Sequence, residues 1–202
     1  MSNLELIDAL IRQSVLKTPS LIEAFQKVDR IDFVPVELRS MAYEDQPLPI
    51  GSFQTISQPY TVAFMLELLQ VQTNDKVLDV GSGSGWTTAL LASIGRHVDA
   101  VERVDELIEF SKKNLSYYPF KNINIHQAKQ SVGLPGEHFD KILVSCAADE
   151  IPQSLIEQLN IGGSMVIPVN NSIVKVVKNK DGSLQEQEYP GFVFVPLIRD
   201  GI

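Results

Sequence analysis

The chain has 202 residues, 17 basic and 25 acidic side chains for a net charge of −8, 44% hydrophobic residues and one cysteine. That length holds one α/β domain with a full core, and the composition excludes disorder and low-complexity architecture. The acidity argues against a general nucleic-acid or anionic-membrane partner, which needs a positive surface, and the lone Cys146 excludes an internal disulfide or a paired-cysteine metal motif.

Leu4, Ile7, Leu10 and Ile11 recur at helical spacing and predict a first helix. Glu5 and Asp8 interrupt that apolar pattern, unlike a secretory signal, and no apolar run approaches the ~20 residues of a membrane span. The expectation is a cytoplasmic, soluble protein. Thr18-Pro19 reads as an N-cap and first-turn proline of a second helix, with Leu21, Ile22, Phe25 and Val28 on one face. A third short helix is expected after Pro35. Pro47, Pro49 and Gly51 then predict an ordered, polar loop from Gln46 to Ser57, followed by a helix over Pro59 to Leu69.

From there strands and helices alternate. Strands are expected at Lys76–Val80, His97–Val101, Ile123–His126, Lys141–Ser145 and Met165–Val169, with helices at Ser84–Ile94, Val104–Leu115 and Pro152–Leu159. This repetition predicts a parallel sheet with helices on both faces. Ile173–Lys178 and Leu184–Tyr189 flank Asn179-Lys180-Asp181-Gly182 and read as an antiparallel hairpin, with Phe192–Pro196 as a last strand.

The sharpest local signal is Val77-Leu78-Asp79-Val80-Gly81-Ser82-Gly83-Ser84-Gly85, at the end of the first parallel strand, where open α/β sheets bind ligands. Its spacing is G-x-G-x-G, not the dinucleotide G-x-G-x-x-G, and Asp79 lies two residues before the first glycine. A carboxylate there disfavours a pyrophosphate and favours a cation or amine. Glu102 closes the second strand at the position from which an acid accepts from both ribose hydroxyls. A cationic ligand bearing a ribose points to S-adenosylmethionine. The glycines alone are equally explained by a tight strand-helix turn.

With Leu159-Asn160-Ile161-Gly162-Gly163 downstream, these motifs resemble class I methyltransferases. Phe33-Val34-Pro35, Tyr43-Glu44-Asp45, Pro47-Leu48-Pro49-Ile50-Gly51 and Gln54-Thr55-Ile56-Ser57-Gln58-Pro59 are similar to signatures of the protein-L-isoaspartate O-methyltransferase family, and the likeness runs from about Ile22 to Leu197. The resemblance implies a three-layer, Rossmann-like α/β fold. Its sheet is mostly parallel, seven-stranded, with one antiparallel strand near the edge and an antiparallel C-terminal hairpin, preceded by N-terminal helices. It implies a single methyltransferase domain, with residues 1–58 as helical extension and acceptor loop and 59–202 as the cofactor-binding core. The implied reaction is methylation of the α-carboxylate of L-isoaspartyl residues in damaged proteins and peptides, by a monomer without a metal, nucleic-acid or membrane partner.

Residue by residue, the resemblance implies Ser57 as the active-site residue, with Gln54, Thr55 and Ile56 shaping the acceptor pocket. Asp79, Gly81, Ser82, Gly83, Glu102, Arg103, Lys129 and Gln130 would bind S-adenosylmethionine. Ser57 also reads as an N-cap before a first-turn proline, a role that can coexist with the functional one favoured by the flanking motifs, and positive potential beside it has to come from the sulfonium and the helix terminus. Two departures stand out. Phe53 replaces a family glycine. Lys129 replaces the acid that accepts from the adenine amino group, which a lysine cannot do; a carbonyl oxygen of Gln130 or Gln127 is one substitute, and a Lys129 that points to solvent is the alternative. They keep open a class I methyltransferase with another carboxylate or small-molecule acceptor, and a catalytically weakened binding homologue. Cys146 reads as a buried apolar residue, Trp86 as helix packing, and His97, His126 and His138 as scattered groups without metal spacing.

Overall fold

In a computed structural model of the chain, which describes residues 1–128 and 131–197, helix α1 (Asn3–Arg12) starts at a capping box. The Ser2 hydroxyl accepts from the Glu5 N–H, and the Glu5 carboxylate accepts from the Ser2 N–H. Helix α2 (Pro19–Lys27) has Pro19 in its first turn, as expected, but the Thr18 hydroxyl does not cap it. That hydroxyl instead donates to Glu67, whose carboxylate also accepts from the Lys17 and Thr18 backbone N–H groups at 2.6 and 2.7 Å. The short helix after Pro35 is a 3-10 turn, Val36–Met41, and another, Arg30–Phe33, precedes it.

The expected loop before Ser57 contains a hairpin. Strands β1 (Leu48–Gly51) and β2 (Gln54–Ile56) pair antiparallel across Ser52 and Phe53, both at positive φ, 50° and 58°. Leu48, Ile50 and Ile56 bury its base. Helix α3 (Pro59–Leu69) follows, then β3 (Lys76–Val80), α4 (Trp86–Ala92), β4 (His97–Glu102), α5 (Asp105–Leu115), β5 (Ile123–Gln127), β6 (Phe139–Val144), α6 (Gln153–Gln158), β7 (Leu159–Val169), β8 (Ser172–Lys178) and β9 (Leu184–Pro190). Helix α4 begins two residues later than its apolar pattern because Gly85, at φ 90°, still belongs to the turn. Strand β7 begins six residues earlier than expected and passes through Gly162-Gly163, with an irregularity in its register against β6.

The sheet order is β5-β4-β3-β6-β7-β8-β9. Strands β3 to β7 run parallel, and β8 is antiparallel to both its neighbours. The expected last strand at Phe192–Pro196 does not form. Gly191 (φ 98°) turns the chain back, and the segment meets the end of β6 through an isolated bridge between Ala147 and Pro196.

Side-chain alternation splits the core between the two faces. Val77 packs with the large cluster under α1 to α5, while Leu78 and Val80 join the smaller cluster that includes Leu155 and Ile156 of α6. The two covers are unequal. Among the described residues, α6 is the helix on the second face, and the β3-β4-β5 part of the sheet carries Lys76, His97, Asp99, Asn124 and His126. The chain leaves β3 in one direction toward β4 and β5 and returns to its other side at β6, so the topological switch lies at the carboxyl end of β3.

Candidate active site

A cleft with about 1100 Å³ of space, open solvent at its mouth included, lies at that switch point. Gly81 and Gly83 of the turn after β3 line it at φ 76° and 55°. A β-carbon on Gly81 would stand 3.3 Å from the Cys146 sulfur, and one on Gly83 would stand 3.2 Å from the Ile50 Cδ1. The turn is therefore held close to β6 on one side and to the β1–β2 hairpin on the other.

Glu102, at the end of β4, lines the cleft and is 7% exposed. Its Oε2 accepts from the Gly83 N–H at 2.8 Å; its Oε1 accepts from the N–H groups of Arg103 and Val104 at 2.6 and 3.0 Å. Three backbone donors thus fix the carboxylate, and an ionised carboxylate has about four acceptor sites, so capacity is left for a ligand hydroxyl. Ser82 also lines the cleft, buried, and its hydroxyl has no partner among the described residues. An unpaired buried hydroxyl beside a fixed carboxylate and two open-backbone glycines suits a polar ligand with hydroxyl and amino groups.

Asp79 does not reach the cleft wall. It is wholly buried beneath the glycine turn, where its Oδ2 accepts from the Thr87 and Thr88 hydroxyls of α4 at 2.9 and 2.7 Å and its Oδ1 has no partner among the described residues. Burial pushes its carboxyl up to about 6, against the pull of the two threonines. Asp79 can therefore act on a cationic ligand through its field and by bracing the turn, not by contact. Arg103 lines the cleft as an exposed side chain. Lys129 and Gln130, both expected cofactor ligands, lie outside the described residues. The exposed Gln127 donates through its amide to Asp105.

On the acceptor side, Gln54, Thr55, Ile56 and Ser57 all line the same cleft. Ser57 does not cap α3. The N-cap position belongs to Gln58, which makes no side-chain cap, and the Tyr60 N–H is taken at 2.8 Å by the carboxylate of Asp45, fifteen residues away. The Ser57 hydroxyl has no hydrogen-bond partner among the described residues. Asp45 also neutralises the helix terminus expected to supply positive potential.

The cation beneath the acceptor loop is Arg30, a residue that no local sequence pattern singles out. Its guanidinium is fully buried and donates to the carbonyls of Ala42 and Glu44 (2.6 and 3.3 Å) and of Gln46 and Ser57 (3.0 and 3.1 Å). It also lies 5.3 Å from the centroid of the Trp86 ring, which lines the cleft and meets Phe25 edge-on. Trp86 is thus both packing and cleft wall. Burial lowers the Arg30 pKa to about 10 and nearby Asp45 opposes the shift, so it stays charged at neutral pH. One side chain ties the acceptor loop to the helix that follows the glycine turn.

Cys146 is buried, and desolvation pushes its thiol up to about 12, so it stays protonated. His97 and His126 are not scattered. Both lie against Asp99, at 3.4 and 2.8 Å, on the exposed polar part of the sheet. Among the described residues no group of three or more His, Cys, Asp and Glu is arranged to hold a metal, and no helix is long and apolar enough to cross a membrane.

Residues 1–201 match the family model for protein-L-isoaspartate(D-aspartate) O-methyltransferase. A curated protein-L-isoaspartate O-methyltransferase from Ignicoccus hospitalis is 42% identical over 205 residues, covering 97% of each chain. Another, from Trichlorobacter lovleyi, is 45% identical over 188 residues, 91% of this chain and 87% of its own. Among solved structures, a Plasmodium falciparum chain described as a beta-aspartate methyltransferase and crystallised with S-adenosyl-L-homocysteine superposes with a TM-score of 0.87. It is 24% identical and covers 99% of this chain and 100% of its own, a likeness of fold.

Proposed function

Because this chain belongs to the protein-L-isoaspartate(D-aspartate) O-methyltransferase family, we propose that it transfers a methyl group from S-adenosylmethionine to the α-carboxylate of L-isoaspartyl residues in damaged proteins. The observation that carries the reading is one cleft shared by two half-sites: a fixed carboxylate and orphaned hydroxyl beside the glycine turn, and Ser57 with an uncommitted hydroxyl on the facing loop.

The residues present fit the cofactor. Glu102 would accept from the ribose hydroxyls, Gly81 and Gly83 admit close backbone approach, and Ser82 has an unpaired hydroxyl for a polar group. When bound, S-adenosylmethionine supplies an electrophilic methyl on a sulfonium. The acceptor carboxylate is already ionised at neutral pH, because such groups ordinarily titrate near about pH 4, so the chain has no proton to remove. Its work is to hold one acceptor oxygen and exclude water. Ser57 donates to the acceptor carboxylate, Arg30 fixes the Ser57 carbonyl, and Ile50, Ile56, Val62 and Trp86 give the cleft its apolar wall. A backbone amide nitrogen next to the residue then attacks the ester carbonyl and expels methanol, and the succinimide so formed is hydrolysed in part to normal aspartate, a repair. The same reading makes the enzyme a cytoplasmic monomer without nucleic-acid or membrane partners; the −8 charge supports the lack of an anionic partner.

Another acceptor or a silent binding role is disfavoured by identity of about 40% to proteins named protein-L-isoaspartate O-methyltransferase over nearly the whole chain. Incubation with labelled cofactor, an isoaspartyl peptide and its aspartyl counterpart tests the proposal. Label is expected in the isoaspartyl peptide; equal labelling of both, or none, refutes it.

A further inference from the structure

Phe53 has no role in the fold. Its ring is fully exposed, at 102%, and it contributes to neither core cluster. Its backbone is at φ 58°, next to Ser52 at φ 50°. A two-residue hairpin with positive φ at both positions favours Asn-Gly, and a bulky residue there is strained. A side chain that strains its own turn and buries nothing internally points outward to an intermolecular contact.

Its place narrows the partner. The base of the hairpin is locked by buried Leu48, Ile50 and Ile56, with Ile50 against Gly83 of the cofactor turn. The next residue after Phe53, Gln54, lines the cleft, as do Thr55, Ile56 and Ser57. The ring is therefore held beside the acceptor entrance. A second exposed apolar side chain, Val193 at 85%, precedes by two residues the Val195–Leu197 segment, which lines the same cleft. An isoaspartyl residue carries polypeptide on both sides, so its flanking residues cross this mouth as it enters.

We propose that Phe53 is a specificity-determining residue that packs against an apolar side chain flanking the isoaspartyl residue of the substrate. The inference rests on the proposed reaction and names the substrate class that this chain prefers. The contact is made alike before and during methyl transfer, so it acts on KM and not on kcat.

The test uses two isoaspartyl peptides that differ only in carrying leucine or serine on both sides of the isoaspartyl residue. The wild type is expected to show a KM roughly 5- to 10-fold lower for the leucine peptide, the value of burying a few tens of square ångströms of apolar surface on each partner. Phe53→Gly, which suits the turn, is expected to shrink that ratio to within about 2-fold, with the change in KM, while S-adenosylhomocysteine affinity and melting temperature do not fall. Phe53→Tyr keeps the preference. Equal KM values in the wild type, or a ratio that survives Phe53→Gly, overturn the inference alone. A change of oligomeric state in Phe53→Gly by light scattering, with the ratio intact, assigns the ring to a second copy and also overturns it. Methylation of neither peptide by the wild type overturns the reaction and this inference with it.

Discussion

Ser57 and Asp45 divide between them two roles that the stretch Ser57-Gln58-Pro59 suggests for one residue, and a pair of substitutions separates them. Ser57→Ala removes a hydroxyl with no partner in the fold, so it is expected to cost less than about 0.5 kcal/mol of stability. Asp45→Ala removes the acceptor for the Tyr60 N–H at the start of α3 and the charge facing Arg30. A lost helix cap costs about 1–2 kcal/mol, which for a chain of this size lowers the melting temperature by roughly 2 to 8 °C. Activity runs the other way for Ser57. Losing one hydrogen bond to a charged acceptor, about 1.5–3 kcal/mol, lowers kcat/KM roughly 10- to 150-fold. Differential scanning calorimetry and methyl transfer to an isoaspartyl peptide give both numbers from the same preparations. A melting temperature that falls as far in Ser57→Ala as in Asp45→Ala would mean that the serine is the cap after all. Full activity in Ser57→Ala would remove it from the site.

Asp79 makes a pH-dependent prediction. Its carboxyl titrates at about 6 when folded, above the ordinary aspartate value of 3.8, so the folded chain binds that proton more tightly. The resulting stability is fully present below about pH 4 and is lost as pH rises through 6, roughly 3 kcal/mol in all. Asp79→Asn is expected to flatten that part of the profile in urea unfolding between pH 4 and 7; an unchanged slope contradicts the assignment. Arg30→Lys keeps the charge but cannot span four carbonyls in three directions, and is expected to cost about 2–4 kcal/mol in the same assay; a loss below about 0.5 kcal/mol would show that the fork is dispensable. Glu102→Gln is expected to weaken S-adenosylhomocysteine roughly 10-fold or more by calorimetry, because an amide replaces a carboxylate that backbone donors and the ligand hydroxyls share; unchanged affinity would place the ribose elsewhere.

The features legible along the chain are those whose cause is local. The glycine turn, the acid at the end of β4 and the β-α repetition each arise within a few residues, and all are found where the pattern puts them. The segment Phe192–Pro196 shows how a correct pattern leads to a wrong element. Its alternation reflects burial on two sides, with Phe192 and Phe194 against one core cluster and Val195 and Leu197 against the other, but its pairing stops at the isolated bridge between Pro196 and Ala147. The β1–β2 hairpin was hidden for the opposite reason: strands of four and three residues with a proline are too short to show a period.

The amino-acid sequence by itself determined the scaffold, the family and the glycine turn and acid that line the cleft, because apolar period, turn glycines and motif order are properties of neighbouring residues. Only the tertiary structure decided which groups serve the acceptor loop. A helix terminus takes its cap from whichever acceptor the fold brings there, and a guanidinium takes backbone carbonyls from whichever segments enclose it. Asp45, fifteen residues before Tyr60, therefore caps α3, and Arg30 holds Ser57 from twenty-seven residues away, leaving the Ser57 hydroxyl to the cleft.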